Sequence, residues 1–113
     1  GVTISELIKQ AHQTAKDKGW WDKEPTFGEL IALCHSELSE ALEDYRNGLE
    51  ISMTHEFCEM YSTKLEGIPI ELADVVIRIA DMCGHYDIDL EAAIRIKMEY
   101  NKSRPYRHGG KVI

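Results

Sequence analysis

From Pro69 to Tyr86 the chain puts apolar residues around most of the girth of a helix: Ile70, Leu72, Ala73, Val75, Val76, Ile77, Ile79, Ala80, Met82 and Cys83. A helix that is hydrophobic on nearly every side has to be buried on nearly every side. Pro69 suits its first turn, and Asp87-Ile88-Asp89 breaks and recaps the chain. A chain of 113 residues builds a modest core, so cover for such a helix has to come from the other helices and from a second copy. The pattern predicts an all-α fold of the four-helix-bundle type, completed by homo-oligomerisation. It forms one domain over 1–113, with a flexible basic tail from about residue 105.

The remaining segments read as helices with clear start and stop signals. Thr3-Ile4-Ser5-Glu6 and Thr26-Phe27-Gly28-Glu29 are capping boxes, in which a threonine accepts from the backbone three residues on. The first opens a helix to about Asp17, with Ile4, Leu7, Ile8, Ala11 and Ala15 on one face. The second opens a helix ending at Asn47-Gly48, a C-terminal stop; its length marks it as the central element. A last helix is expected from Leu90 to about Lys102, and Pro105 forbids its continuation. Residues 49–67 read as a long connection with room for a short helix, and no alternation long enough to build a sheet is visible.

Against this apolar background four carboxylates stand out. Glu37 and Glu40 share a face of the second helix, and Glu71 and Asp74 share a face of the most apolar one. Carboxylates on a buried helix are costly unless compensated, and a divalent cation held between the two pairs would compensate them. Hard oxygen donors suit Mg²⁺, with Mn²⁺ the alternative, over zinc. A glutamate pair at this spacing is also common on solvated faces, and Arg78, one turn past Asp74, offers that aspartate a plain salt bridge. None of the five histidines has a glutamate three residues before it, so the Glu-x-x-His pair of di-iron bundles is missing.

Lys97, Asn101 and Arg104 follow at helical spacing on the last helix, a cationic strip suited to polyphosphate or simply to the helix dipole. Adjacent Trp20 and Trp21 cannot both face one core, which leaves one for a partner or a stacked base. Thirteen Lys and Arg against twenty Asp and Glu leave a formal charge of −7, against the basic surface expected of a nucleic-acid binder. No apolar run approaches a membrane span, and the polar N-terminus has no signal-peptide pattern. Three cysteines without a CxxC pair suit a reducing compartment. The expectation is a cytoplasmic protein that engages neither nucleic acid nor membrane.

Glu37-Leu38-Ser39-Glu40, then Glu71-Leu72-Ala73-Asp74, then Lys97-Met98-Glu99-Tyr100-Asn101-Lys102-Ser103-Arg104-Pro105 together resemble the MazG-like members of the all-alpha nucleotide pyrophosphohydrolase superfamily, over roughly Ile4 to Lys111. The resemblance implies that Glu37, Glu40, Glu71 and Asp74 ligate Mg²⁺, and that Lys97, Asn101 and Arg104 contact the phosphates. Trp21 and His12 would line the base pocket. It also implies dimers or dimers of dimers with sites at subunit contacts. The substrates would be nucleoside or deoxynucleoside triphosphates, in a house-cleaning role. The reaction expected is attack of water on the α-phosphorus with pyrophosphate leaving, Glu40 or Glu37 orienting that water or taking its proton. Narrower chemistry on the same scaffold remains open, on dUTP or phosphoribosyl-ATP. So does a catalytically silent helical dimer that binds nucleotide or a partner protein, and so does a plain interaction module with surface acids.

Overall fold

The computed structural model describes residues 1–59 and 62–106. It is all-helical apart from one hairpin. Four helices occur in the order α1 (Ile4–Asp17), α2 (Phe27–Arg46), α3 (Ile68–His85) and α4 (Leu90–Ser103), with strands β1 (His55–Glu59) and β2 (Ser62–Glu66) between α2 and α3. The capping residues act as the sequence predicts. The Thr3 side chain accepts from the Glu6 amide and the Thr26 side chain from the Glu29 amide, each at 3.1 Å. Asp89 does the same for Ala92 at 3.0 Å, so three helix starts have a donor satisfied by a side chain.

The hub is α3, not α2. Helices α1 and α2 both pack along it, while α4 lies against α1. Helix α1 comes close to α3 at Gly84, where a Cβ would stand 2.6 Å from the Cβ of His12; a side chain there would push the helices apart. The buried apolar residues are Ala15 of α1, Ala41 of α2 and, spread along α3, Ile68, Ala80, Met82 and Cys83.

Two expectations need correction. The all-round burial foreseen for α3 is not reached within one chain: Leu72, Val76 and Ile77 are 45%, 52% and 43% exposed. With α1 and α2 on two sides, a third side is left uncovered. The connection at 49–67 is also more ordered than foreseen. It contains an antiparallel hairpin whose register runs from His55↔Glu66 to Glu59↔Ser62. Five-residue strands of mixed polarity give little alternation to read, and a lone hairpin is marginal in water. Here it is fixed at its base. Gly67 takes φ +121°, a value L side chains rarely adopt, and a Cβ there would lie 2.7 Å from the Met53 carbonyl oxygen. Most of the basic tail foreseen from about residue 105 lies outside the described residues. No helix among them is long and apolar enough to cross a membrane.

Candidate metal centre

Glu37 and Glu40 stand on α2, and Glu71 and Asp74 on the first turns of α3. Because the two helices pack on one another, the two pairs meet. They line one cavity of about 480 Å³, together with Glu43 and Asp44 of α2 and with Lys64, Leu65 and Glu66 of the hairpin. One oxygen from each of Glu37, Glu71 and Asp74 lies within 4.8 Å of the others. Glu40 lines the cavity outside that triplet and is more exposed.

The charges here are unevenly compensated. The Arg78 Nε donates to Glu37 Oε1 at 2.8 Å; the arginine foreseen as a partner for Asp74 has chosen the facing helix. Burial pushes Glu37 upward. The Arg78 hydrogen bond, contact with Glu40, the guanidinium charge and contact with Glu71 outweigh it, and its pKa falls below the ordinary glutamate value. Glu71 goes the other way, to about 8, first through burial and then through the neighbouring carboxyls of Glu40, Glu37 and Asp74. Asp74 is raised by burial and by the Glu37 charge, with Arg78 opposing. Glu71 Oε2 is buried without a hydrogen-bond partner among the described residues. An unsatisfied buried oxygen between facing carboxylates fits a hard divalent cation held by Glu37, Glu71 and Asp74, with Glu40 at the rim. Among the described residues no histidine or cysteine joins the cluster, as magnesium or manganese would prefer.

Further along, α3 carries a second polar group. Glu71, Asp74, Arg78, Asp81 and His85 recur at alternating steps of three and four, so they form one stripe down the helix. Asp81 Oδ1 accepts from His12 Nδ1 at 2.8 Å and from Trp21 Nε1 at 2.9 Å. The Trp21 ring stacks on His85, centroids 3.9 Å apart and planes 11° from parallel, and His85 is hydrogen-bonded to Glu24. Trp21 and His12, singled out from the sequence, do come together. Asp81, His85 and Glu24, which join them, had not been singled out. A polar residue recurring every three or four positions through an apolar helix was the signal for Asp81 and His85.

Lys97, Asn101 and Arg104 are not brought to the acids: none lines the cavity of its own chain. Arg104 caps α4 in an extended conformation instead of continuing its face. The Lys97 Nζ and the Arg104 guanidinium flank the Tyr100 ring, at 4.7 and 5.6 Å from its centre. No known protein family, curated protein or solved structure compared with this chain matches it.

Proposed function

We propose that this chain is a magnesium-dependent nucleotide pyrophosphohydrolase, converting a nucleoside triphosphate to the monophosphate and pyrophosphate. The observation that carries the reading is the convergence of Glu37, Glu71 and Asp74 from two helices to within 4.8 Å, with a buried Glu71 oxygen left unpaired. A bound divalent cation would supply charge neutralisation at the phosphoryl oxygens and a more acidic water. The protein's own part is to hold the geometry. Arg78 fixes the Glu37 carboxylate against α3, and Glu40, exposed at the cavity rim, is placed to orient a water or accept its proton. Beside Arg78 a recess of about 210 Å³ is lined by Trp20, Trp21, Pro25, Leu30, Leu33 and Asp81. A cavity of about 150 Å³ holds benzene, so this recess has room for a nucleobase ring. Asp74 and Asp81 are seven residues apart, ~10 Å along the helix, a span that suits a nucleotide lying between them. His12 does not line the recess and acts on it through Asp81.

The test is release of pyrophosphate from standard and modified nucleoside triphosphates, with magnesium and with chelator. Magnesium-dependent release from at least one nucleotide is expected; none across the panel would end the proposal.

The proposed assembly is a dimer or dimer of dimers. Ile31, Leu38, Leu42 and Tyr45 form an exposed apolar stripe on α2, as do Leu72 with Val76 on α3 and Ile96 with Tyr100 on α4. A second copy covering these stripes is the route by which Lys97, Asn101 and Arg104 would meet substrate. Sedimentation should show no monomer at working concentration, and a stable folded monomer would remove the assembly.

A further inference from the structure

The described lining of the acid cavity holds seven carboxylates and a single cation, Lys64. A polyphosphate approaching it meets a wall of like charge everywhere except at the metal and at that ammonium. Lys64 gets there through the hairpin, the segment inserted between the two acid-bearing helices. It sits in β2, opposite Phe57 in the register, and two residues from Glu66, so the two side chains leave the same face of the strand. Its Nζ lies 2.9 Å from Glu66 Oε1, with 60% of the lysine side chain and 39% of the glutamate side chain exposed. An ion pair that open is weak and screened by water, so a doubly charged phosphate group can compete with Glu66 for the ammonium. A flexible lysine is suited to this, as a mobile point charge that follows a phosphate instead of clamping it in one plane. The strand that carries it is held in place by the Gly67 turn, which seats the hairpin base against Met53 and Thr54.

We propose that Lys64 is a substrate-binding residue that grips the outer phosphates of the nucleotide, the part that leaves as pyrophosphate. This inference rests on the metal-centre reading above. The hairpin then does more than connect α2 to α3: it adds an ammonium to the cavity lining, where the helix cation at the acids, Arg78, is already engaged by Glu37.

The experiment uses inorganic pyrophosphate as the probe, titrated calorimetrically into the full chain at saturating magnesium, with magnesium titrated separately. In Lys64→Met, pyrophosphate binding should weaken about tenfold, the equivalent of ~1.4 kcal/mol. Magnesium binding should be unchanged or tighter, because a cation has left an acidic cavity. Lys64→Arg should recover most of the pyrophosphate affinity. Equal affinity in wild type and Lys64→Met overturns the inference. Joint loss of magnesium and pyrophosphate binding in Lys64→Met also overturns it, since that marks a structural role for the hairpin. A wild type that binds magnesium but no pyrophosphate defeats the inference and leaves the metal site standing. A wild type that binds no magnesium defeats both.

Discussion

The two ends of the polar stripe on α3 use the same kind of side chain for opposite purposes. At one end Asp81 is buried and answered by two donors: His12 and Trp21 both donate to its Oδ1, and His85 and Glu24 extend the network. At the other end Glu71 and Asp74 face Glu37 and Glu40 with, among the described residues, one guanidinium between them and a buried Glu71 oxygen without a partner. Depth alone does not separate the two ends: Asp81 is buried and Glu71 and Asp74 are half-buried, yet the facing Glu37 lies as deep as Asp81. The side chains of Asp81 and Glu37 are 13% and 12% exposed. What separates them is the supply of donors. A carboxylate that accepts two hydrogen bonds needs nothing further, whereas a cluster of acids short of donors is stable only with protons or a cation. One end is therefore read as a preformed wall of the base recess and the other as the metal centre.

The strongest way to break this comparison is to neutralise one acid at each end. Glu71→Gln is expected to lower pyrophosphate release by more than the ~10–100-fold typical of residues that only support a metal ligand. It should also abolish the rise in melting temperature that magnesium produces by binding the folded state. Asp81→Asn should keep that magnesium-induced rise. If the outcomes are exchanged, the roles assigned to the two ends are exchanged with them.

The next effect is on stability without metal. Asp81→Asn removes a carboxylate that accepts both the His12 and the Trp21 donors. The asparagine oxygen can still accept, but hydrogen bonds to a charged acceptor are worth about 1.5–3 kcal/mol against about 1 kcal/mol for neutral ones, so thermal denaturation without magnesium should show a loss of ~2 kcal/mol. A melting temperature equal to wild type would show that Asp81 is not holding the Trp21 loop. Arg78→Met should cost less, about 1 kcal/mol, because Glu37 keeps its contacts with Glu40 and Glu71. That loss should shrink when magnesium is added and replaces the missing charge. A deficit that magnesium leaves untouched would separate Arg78 from the acid cluster.

The sequence is most readable at the helix starts and at the four acids, because both depend on near neighbours. Thr3, Thr26 and Asp89 cap within three residues of themselves, and a carboxylate in Ile70–Ile77 is conspicuous against its immediate background. What the sequence hides is set by distant partners. Helical spacing offers Arg78 to Asp74, yet packing of α2 on α3 gives it to Glu37, 41 residues away. Asp81 finds its donors 60 and 69 residues away. The hairpin has strands too short and too polar to announce themselves, so Lys64 and Glu66 could not be placed beside the acids in advance. The pattern of α3 reports the burial it requires, while one chain covers two of its sides.

The smallest effect isolates Glu71 itself. Its pKa is raised in the folded chain to about 8 by burial and by the facing carboxyls, while in the unfolded chain it keeps the ordinary value near 4.5. Between those two values the folded state holds a proton that the unfolded state has released, so stability without metal falls as pH rises through that window and levels off above it. Because the side chain is partly exposed and its ionised form is able to turn toward water, the fall should be modest, about 3 °C in melting temperature, as ~0.5–1 kcal/mol produces in a domain of this size. The quantity to follow is the difference between wild type and Glu71→Gln, in which every other titrating group cancels. Without metal the variant should gain on wild type as pH rises from 5.5 to 8. With saturating magnesium the order should reverse, because the cation favours the ionised carboxylate that the variant lacks. Parallel curves with and without magnesium would mean that Glu71 is not shared between a proton and a metal, and the contrast with Asp81 would lose its physical basis.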